Sequence, residues 1–100
     1  MKTSPIETAV DAIDGKWKVF ILWHLQNGPM RNSELLKAIP GISQKMLTQK
    51  LRELERLKVV ERTVYPEIPP RVEYSLTRLG QKLKPILMML EQLGEELLGG

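Results

Sequence analysis

The sequence predicts a mainly α-helical chain with one small β element, an α+β fold. In five segments, apolar residues recur every three or four positions, which is the pattern of amphipathic helices. Residues 59–65 are instead rich in β-branched residues and residues 71–76 alternate between polar and apolar. A proline-rich stretch lies between them, which is typical of two strands joined by a loop. One hundred residues can enclose one core, so we expect residues 1–100 to form a single domain.

Two helices are predicted in the first quarter of the chain. Ser4-Pro5-Ile6-Glu7 has the spacing of a capping box with proline in the first turn, and the helix should end near residue 14. The second helix covers residues 16–26 and is apolar on several sides, so it should be the central helix of the fold. Its histidine, His24, has no partner motif, and we expect a structural role for it.

The next two helices have the arrangement of a helix-turn-helix over about residues 32–57. Asn32 or Ser33 can cap a short helix, Pro40-Gly41 forms the turn, and Ser43 caps the second helix. The apolar stripe of the second helix is formed by Met46, Leu47, Leu51, Leu54 and Leu57. This stripe should face the core and fix which side of the helix points outward.

The outward side of the Ser43 helix has long side chains that form hydrogen bonds. These are Gln44, Lys45, Thr48, Gln49 and Arg52, and none of them is acidic. Glutamine, lysine and arginine suit the base edges and phosphates of a DNA major groove. The alternative is an ordinary solvated face, which is the commoner case for an arbitrary helix.

A hairpin and a long helix complete the chain. The two predicted strands surround Pro66-Glu67-Ile68-Pro69-Pro70, and Arg71 lies at the base of this loop. A helix capped by Thr77 should then run to about residue 98, with a bend near Pro85 because proline removes one helical hydrogen bond. The apolar stripe of this helix comprises Leu79, Leu83, Ile86, Leu87, Leu90, Leu93 and Leu97.

The order of these elements is that of a winged helix-turn-helix with a two-stranded β-hairpin as its wing. A helix in the major groove with a basic hairpin beside it is a known geometry for docking on DNA. The charge is distributed accordingly. Residues 31–72 have nine Lys and Arg against five Asp and Glu, a net charge of +4, whereas residues 1–30 are neutral and residues 73–100 have −1. A basic segment favours a polyanionic partner.

Apolar residues on the outer helices predict a homodimer. A chain of this size has difficulty covering the stripes of both the first helix, at about residues 5–14, and the last, at about residues 77–98. The predicted interface residues are Ile6, Val10, Leu83, Ile86, Leu87, Leu90 and Leu93. The alternative is that they pack on the central helix. A two-fold dimer would place its recognition helices about 34 Å apart, or a multiple of that.

Composition excludes several classes of protein. The chain has no cysteine, so it contains no disulfide, thiolate metal site or thiol switch. We find no nucleophile–base pair, ligand cluster or phosphate-binding glycine loop, so we expect neither an enzyme nor a cofactor. No apolar run exceeds five residues and the start lacks the core of a signal peptide, which predicts a cytoplasmic protein without membrane contact. A small effector between the dimer helices is neither supported nor excluded.

Several motifs in this order resemble the HxlR-type family of transcriptional regulators. They are Gly15-Lys16-Trp17-Lys18, Arg31-Asn32-Ser33-Glu34-Leu35, residues 39–48, residues 51–55, residues 69–77 and Gly80. The resemblance extends from about residue 4 to residue 98. It implies a homodimeric winged helix-turn-helix that binds a palindromic operator, with the first and last helices at the dimer interface.

The resemblance also implies how DNA would be bound and what signal is excluded. It places the Ser43 helix in the major groove and the wing around Arg71 on the backbone or in the minor groove. Several members of the family sense thiol oxidation with a cysteine just before the proline of the first helix. Here that residue is Ser4, which cannot be oxidised in this way. The usual aromatic residue near the end of the last helix corresponds to Leu93 here.

We therefore interpret the chain as a sequence-specific, DNA-binding transcriptional regulator with double-stranded DNA as its partner. The residues expected to contact DNA are Asn32, Ser33, Ser43, Gln44, Lys45, Thr48, Gln49, Arg52 and Arg71. Asn32, Ser33 and Ser43 can donate to phosphates from helix starts, or act only as caps. Arg52 can instead pair with Glu53 or Glu55, and Arg71 can be a plain surface charge. The alternative function is a winged-helix module that binds protein, which would more often have an exposed apolar anchor.

Overall fold

Five α-helices and a small antiparallel sheet form the part of the chain that the computed structural model describes, residues 4–99. The helices are α1 (Pro5–Ile13), α2 (Lys16–Leu25), α3 (Asn32–Ala38), α4 (Gln44–Arg56) and α5 (Leu83–Leu97). The strands are β1 (Met30–Arg31), β2 (Val60–Tyr65) and β3 (Arg71–Leu76), and a 3₁₀ turn covers Gly80–Lys82. This order confirms the predicted α+β winged helix-turn-helix.

The sheet has three strands, one more than we predicted for the wing. The predicted hairpin is present, and β2 pairs with β3 from Val60 opposite Leu76 to Tyr65 opposite Arg71. In addition, β1 pairs antiparallel with β3, so the strand order is β1-β3-β2. The sequence pattern predicts no element at residues 30–31. Two residues are too few to show an alternating pattern, so this strand is defined by its partner and not by its own sequence.

The core confirms α2 as the central helix. Ile21, Leu22 and Leu25 of α2 are almost completely buried. They contact the inward stripes of the surrounding elements, which include Leu35, Ile39, Leu47, Leu51, Leu54 and Leu87. Each such side chain contributes about 1.5–3 kcal/mol when it is removed from water. The three leucines of α4 are among the most buried, so its opposite face must point outward.

The helix caps predicted at Ser4 and at Asn32 or Ser33 differ in detail from those observed, whereas the cap at Ser43 does not. The Ser43 hydroxyl accepts a hydrogen bond from the Met46 N–H at 3.1 Å, which confirms that cap. The capping box at Ser4 is wrong, because its side chain makes no cap bond and Thr8 Oγ1 donates to the Ser4 carbonyl instead. Helix α3 is capped at Arg31, whose N–H donates to the Glu34 carboxylate at 2.8 Å, and not at Asn32 or Ser33.

The last helical segment is divided into two parts. Thr77 Oγ1 accepts from the Gly80 N–H at 3.0 Å and donates to the Lys58 carbonyl at 2.6 Å, so it stabilises the start of the 3₁₀ turn. Helix α5 begins only at Leu83. Pro85 therefore lies in the first turn of α5, where its missing N–H is not needed. The prediction of one continuous helix bent by this proline is wrong.

One buried lysine joins three helices. Lys18 lies in α2 and is 8% exposed. Its Nζ donates to the Asp11 carbonyl of α1 at 2.8 Å and lies 3.2 Å from Glu53 Oε2 of α4. Lys50 also reaches Glu53, at 3.4 Å. Burial alone would raise the pKa of Glu53, but hydrogen bonds and positive charge from Lys18 and Lys50 outweigh it, and the pKa lies below its ordinary value.

The Gly80 backbone contacts the start of the wing so closely that a larger residue does not fit. A Cβ on this residue would collide with the Val59 carbonyl oxygen. We expect Gly80→Ala to lower the free energy of unfolding by about 1–3 kcal/mol, as overpacking does. Gly94 lies within α5 with nothing near its Cβ position, so Gly94→Ala should not destabilise the chain. Urea denaturation measures both, and equal effects of the two variants would contradict the packing at Gly80.

The lowered pKa of Glu53 predicts a pH-dependent contribution to stability. This group is more acidic in the folded chain than its ordinary value of 4.5, so its contribution is complete above that pH and is lost as the pH falls through the folded pKa. Glu53→Gln should therefore lower the free energy of unfolding at pH 7 by about 1–3 kcal/mol. The difference from wild type should shrink below pH 4.5 in denaturation curves. A difference that is constant between pH 7 and pH 3 would contradict this account.

Candidate nucleic-acid interface

The outward face of α4 presents the predicted polar residues on one continuous surface. Because Leu47, Leu51 and Leu54 are buried, the residues between them point away from the core. Gln44, Lys45, Gln49 and Arg52 are exposed, and Thr48 is half-buried. The Gln44 Nε2 donates to Thr48 Oγ1 at 3.0 Å, one helical turn away. The structure thus brings together all five residues that the pattern selected.

Arg56 belongs to the same surface and was missed by the sequence analysis. A shallow concavity of about 520 Å³ is lined by Gln44, Lys45, Thr48, Gln49, Arg52 and Arg56. Arg56 is exposed and follows Arg52 by four residues, so it lies one turn further along the same face. Helical spacing alone would have identified it. Its addition gives this face three cations and no acid.

The three cations of this face have no ion pair within residues 4–99. The alternative role for Arg52 was a pair with Glu53 or Glu55, but Glu53 is occupied by Lys18 and Lys50. Unpaired guanidinium and ammonium groups on an exposed helix face are available to an anionic partner. This face therefore has the chemistry for base-edge and phosphate contacts that the sequence predicted.

The predicted contacts at the two helix starts differ in how far they are free to bind a partner. The Ser43 hydroxyl is used as the cap of α4, where it accepts the Met46 N–H. Asn32 is half-buried and Ser33 is exposed, and both lie in the first turn of α3. They are not caps, since that position is held by Arg31. Ser33 and Ser43 are thus both exposed, but the Ser43 hydroxyl already accepts the cap bond.

Arg71 stabilises the wing and is largely neutralised within it. Its Nε lies 2.9 Å from Glu67 Oε2 and its Nη1 lies 3.2 Å from Glu73 Oε2. Its Cζ lies 4.0 Å from the centre of the Tyr65 ring, which allows a cation–π contact. These partners come from both strands and from the loop between them. Arg71 therefore holds the hairpin together and does not present a free charge at its base.

The basic charge lies on the helix-turn-helix and not on the wing. Residues 31–58 have seven Lys and Arg against three Asp and Glu, a net charge of +4. Residues 59–76 have two arginines against three glutamates, a net charge of −1. The expectation of a basic hairpin is wrong. The net charge of +4 over residues 31–72 comes from the helix-turn-helix, and the wing adds no net positive charge to it.

The predicted dimer residues divide into two groups. Ile6, Val10, Ile86, Leu90 and Leu93 are exposed on α1 and α5. Leu83 and Leu87 instead belong to the core of the chain, and Leu87 is only 1% exposed. These two leucines have little surface left for a partner, so their assignment to an interface is corrected here. Met89 and Leu97 on α5 are exposed and extend the apolar surface that remains.

Other kinds of site find little support in the structure. No group of three or more His, Asp or Glu side chains is placed to hold a metal ion within residues 4–99. None of the described helices is long and apolar enough to cross a membrane. An apolar cleft of about 290 Å³ lies between α2 and α5 and is lined by Val19, Phe20, Trp23, Leu87, Leu90 and Glu91.

The chain is similar to known transcriptional regulators. The HxlR-like helix-turn-helix family matches residues 12–99. YdeP of Bacillus subtilis, an HTH-type transcriptional regulator, is 49% identical over 92 residues, which cover 92% of this chain and 72% of YdeP. The structure of the HTH-type regulator ytcD is 47% identical, with a TM-score of 0.89 over 98% of this chain and 100% of that one. The redox regulator HypR in its reduced form is 45% identical, with a TM-score of 0.87 over 93% and 92%.

Proposed function

The chain belongs to the HxlR-like helix-turn-helix family of transcriptional regulators, and we propose that it binds a palindromic DNA operator as a homodimer and reads its sequence with α4. One observation carries this proposal. The exposed face of α4 has three cations, two glutamines and one threonine, without an acid or an ion pair in the described part of the chain. Members of this family are transcriptional regulators, so the chain is a regulator and not an enzyme.

The positions of the side chains along α4 suggest which of them contact bases and which contact phosphates. Thirteen residues of helix are about 20 Å long, enough to lie across a major groove. Gln49 and Arg52 lie in the middle of the face, where side chains reach base edges. Glutamine can bind adenine with two hydrogen bonds and arginine can bind guanine in the same way. Lys45 and Arg56 lie towards the ends of the face and are suited to phosphates on either side.

The wing contributes less to this proposal than the sequence suggested. Its net charge of −1 opposes a phosphate backbone, and Arg71 is held by Glu67 and Glu73. Exposed Arg62 remains the residue of the hairpin best able to reach a phosphate. We therefore assign most of the electrostatic attraction to α4. This is the opposite weighting to a mode in which a basic wing anchors the protein.

Dimerisation through α1 and α5 is the second part of the proposal. Both helices expose apolar side chains that a monomer leaves in contact with water, and such a surface is typical of an interface. A two-fold axis beside these helices would present two copies of α4 to half-sites about 34 Å apart, or a multiple of that. Binding to genomic DNA would place the protein in the cytoplasm of a bacterial or archaeal cell.

The signal that controls the protein is not a thiol reaction of this chain. HypR is a redox regulator, but this chain has no cysteine to oxidise. The cleft between α2 and α5 offers room for a small apolar effector. The alternative of a protein-binding module is less favoured, because the outward face of α4 lacks an apolar or aromatic anchor.

Base readout and phosphate contact can be separated by two substitutions on α4. Gln49→Ala should weaken binding to a selected operator by about 1–3 kcal/mol, with the loss confined to one base pair in each half-site. Arg56→Ala should weaken binding to operator and random DNA alike and reduce the salt slope by about one. Fluorescence anisotropy titrations at several salt concentrations measure both. Equal losses on operator and random DNA for Gln49→Ala would contradict base readout by this residue.

The dimer interface can be tested with two matched valines. Val10 on α1 and Val64 on the wing are about equally exposed, at 44% and 50%. Val10→Glu should raise the dimer dissociation constant by at least about tenfold, because an unpaired buried carboxylate costs several kcal/mol. Val64→Glu should leave the dimer intact. Sedimentation equilibrium measures both variants, and dimers of equal strength would exclude α1 from the interface.

A further inference from the structure

Lys18 connects the helix proposed to form the dimer with the helix proposed to read DNA. Its ammonium group donates to the Asp11 carbonyl in the last turn of α1 and pairs with Glu53 on α4. A buried ammonium group is stable only when its donors have partners, so both contacts must persist in the folded chain. The Lys50–Glu53 contact lies within α4 and connects no second helix. Lys18 is thus a polar link from α1 through α2 to α4.

The contact with Glu53 is placed where it can limit rotation of α4 about its own axis. Leucine contacts such as those of Leu51 and Leu54 depend on buried area and tolerate small rotations, since apolar attraction is not directional. The Lys18–Glu53 pair is directional and lies to one side of the buried stripe, about 100° around the helix from Leu54. Arg52 points about 100° the other way from Glu53, so any roll of α4 moves it in the DNA groove.

The contact with Asp11 makes the position of the Lys18 ammonium group depend on the position of α1. Helix α1 has one buried residue, Ala12, and a half-buried Ile13 among those packed on the core. Its remaining apolar residues, including Ile6 and Val10, point outward. The position of α1 therefore depends strongly on the few contacts at its C-terminal end. A shift of this helix at a dimer interface would move the carbonyl that Lys18 binds.

We infer that Lys18 is a positioning residue for operator binding, which ties the roll of α4 to the position of α1. The inference rests on the proposed function, since it requires a DNA-reading α4 and a dimer-forming α1. Lys18 is buried and does not touch DNA itself. Its effect should therefore appear in the preference for operator over random DNA. A slight rotation of α4 leaves its contacts with phosphates possible but moves the side chains that read base edges.

The test removes both charges together, so that neither Lys18 nor Glu53 is left as an unpaired charge; half-buried Lys50 loses only its contact within α4. Lys18→Met with Glu53→Ala should fold, because replacing both partners of a buried pair is often nearly neutral for stability. Lys16→Met with Glu55→Ala is the control. It makes the same two changes on the same two helices and keeps the same net charge. Lys16 is exposed, however, with its ammonium group over the Trp17 ring, and Glu55 has no ion pair in the described part of the chain. Thermal unfolding establishes that both variants are folded at the assay temperature.

The first readout is the ratio of affinities for a selected operator and for random duplexes. The double variant Lys18→Met with Glu53→Ala should lower this ratio by about tenfold relative to the control variant. This change is within the usual range of coupling between contacting residues. Equal ratios in the two double variants would overturn the inference. Rescue of the ratio by Lys18→Arg, which retains the charge, supports it against a purely structural role.

The second readout uses the free protein and needs no DNA. Amide hydrogen exchange should increase in both α1 and α4 in the linked variant, and in neither helix in the control. Faster exchange restricted to α4 would overturn the link to α1. A wild-type chain that prefers no duplex would overturn the proposed function, and the exchange result would then still decide whether Lys18 joins the two helices.

Discussion

An ammonium group removed from water needs partners, and those of Lys18 join three helices. The Asp11 carbonyl and the Glu53 carboxylate both approach Nζ within 3.2 Å. Losing either one would leave a buried donor without compensation, which costs more than an ordinary surface contact. Apolar packing on α2 brings α1 and α4 together, and this polar group adds one directional contact to each of them. The outward direction of the α4 face follows from the burial of Leu47, Leu51 and Leu54 on its other side, and the Lys18 contacts are proposed to limit its roll.

The distribution of charge supports the DNA-binding role proposed for the outward face of α4. Positive charge lies on the helix-turn-helix, whereas the wing is slightly acidic and satisfies Arg71 internally. This distribution supports the proposal that α4, more than the wing, meets the phosphate backbone of DNA. The apolar surfaces of α1 and α5 lie on elements that present none of the residues proposed to contact DNA. DNA binding and dimerisation can thus use separate surfaces of one small chain.

The sequence was sufficient where local pattern decides structure. Leucine spacing and the Ser43 hydroxyl defined α4, and the same spacing separated its polar face from its core face. It was insufficient where a distant partner decides. Strand β1 exists because β3 lies beside it, and Arg71 is neutralised by acids that surround it only in the folded hairpin. Leu87 shows the same limit, since an apolar stripe does not reveal which residues face the chain's own core.

Selection of bound duplexes from a random-sequence pool, repeated at two salt concentrations, tests the central claim most directly. A dimer that reads DNA with α4 should recover a palindrome with half-site centres about 10 base pairs apart, or a multiple of that. Its affinity should fall steeply as salt rises, because several phosphates are neutralised by Lys and Arg. A pool that shows no enriched sequence, with weak binding lost at physiological salt, would contradict the account.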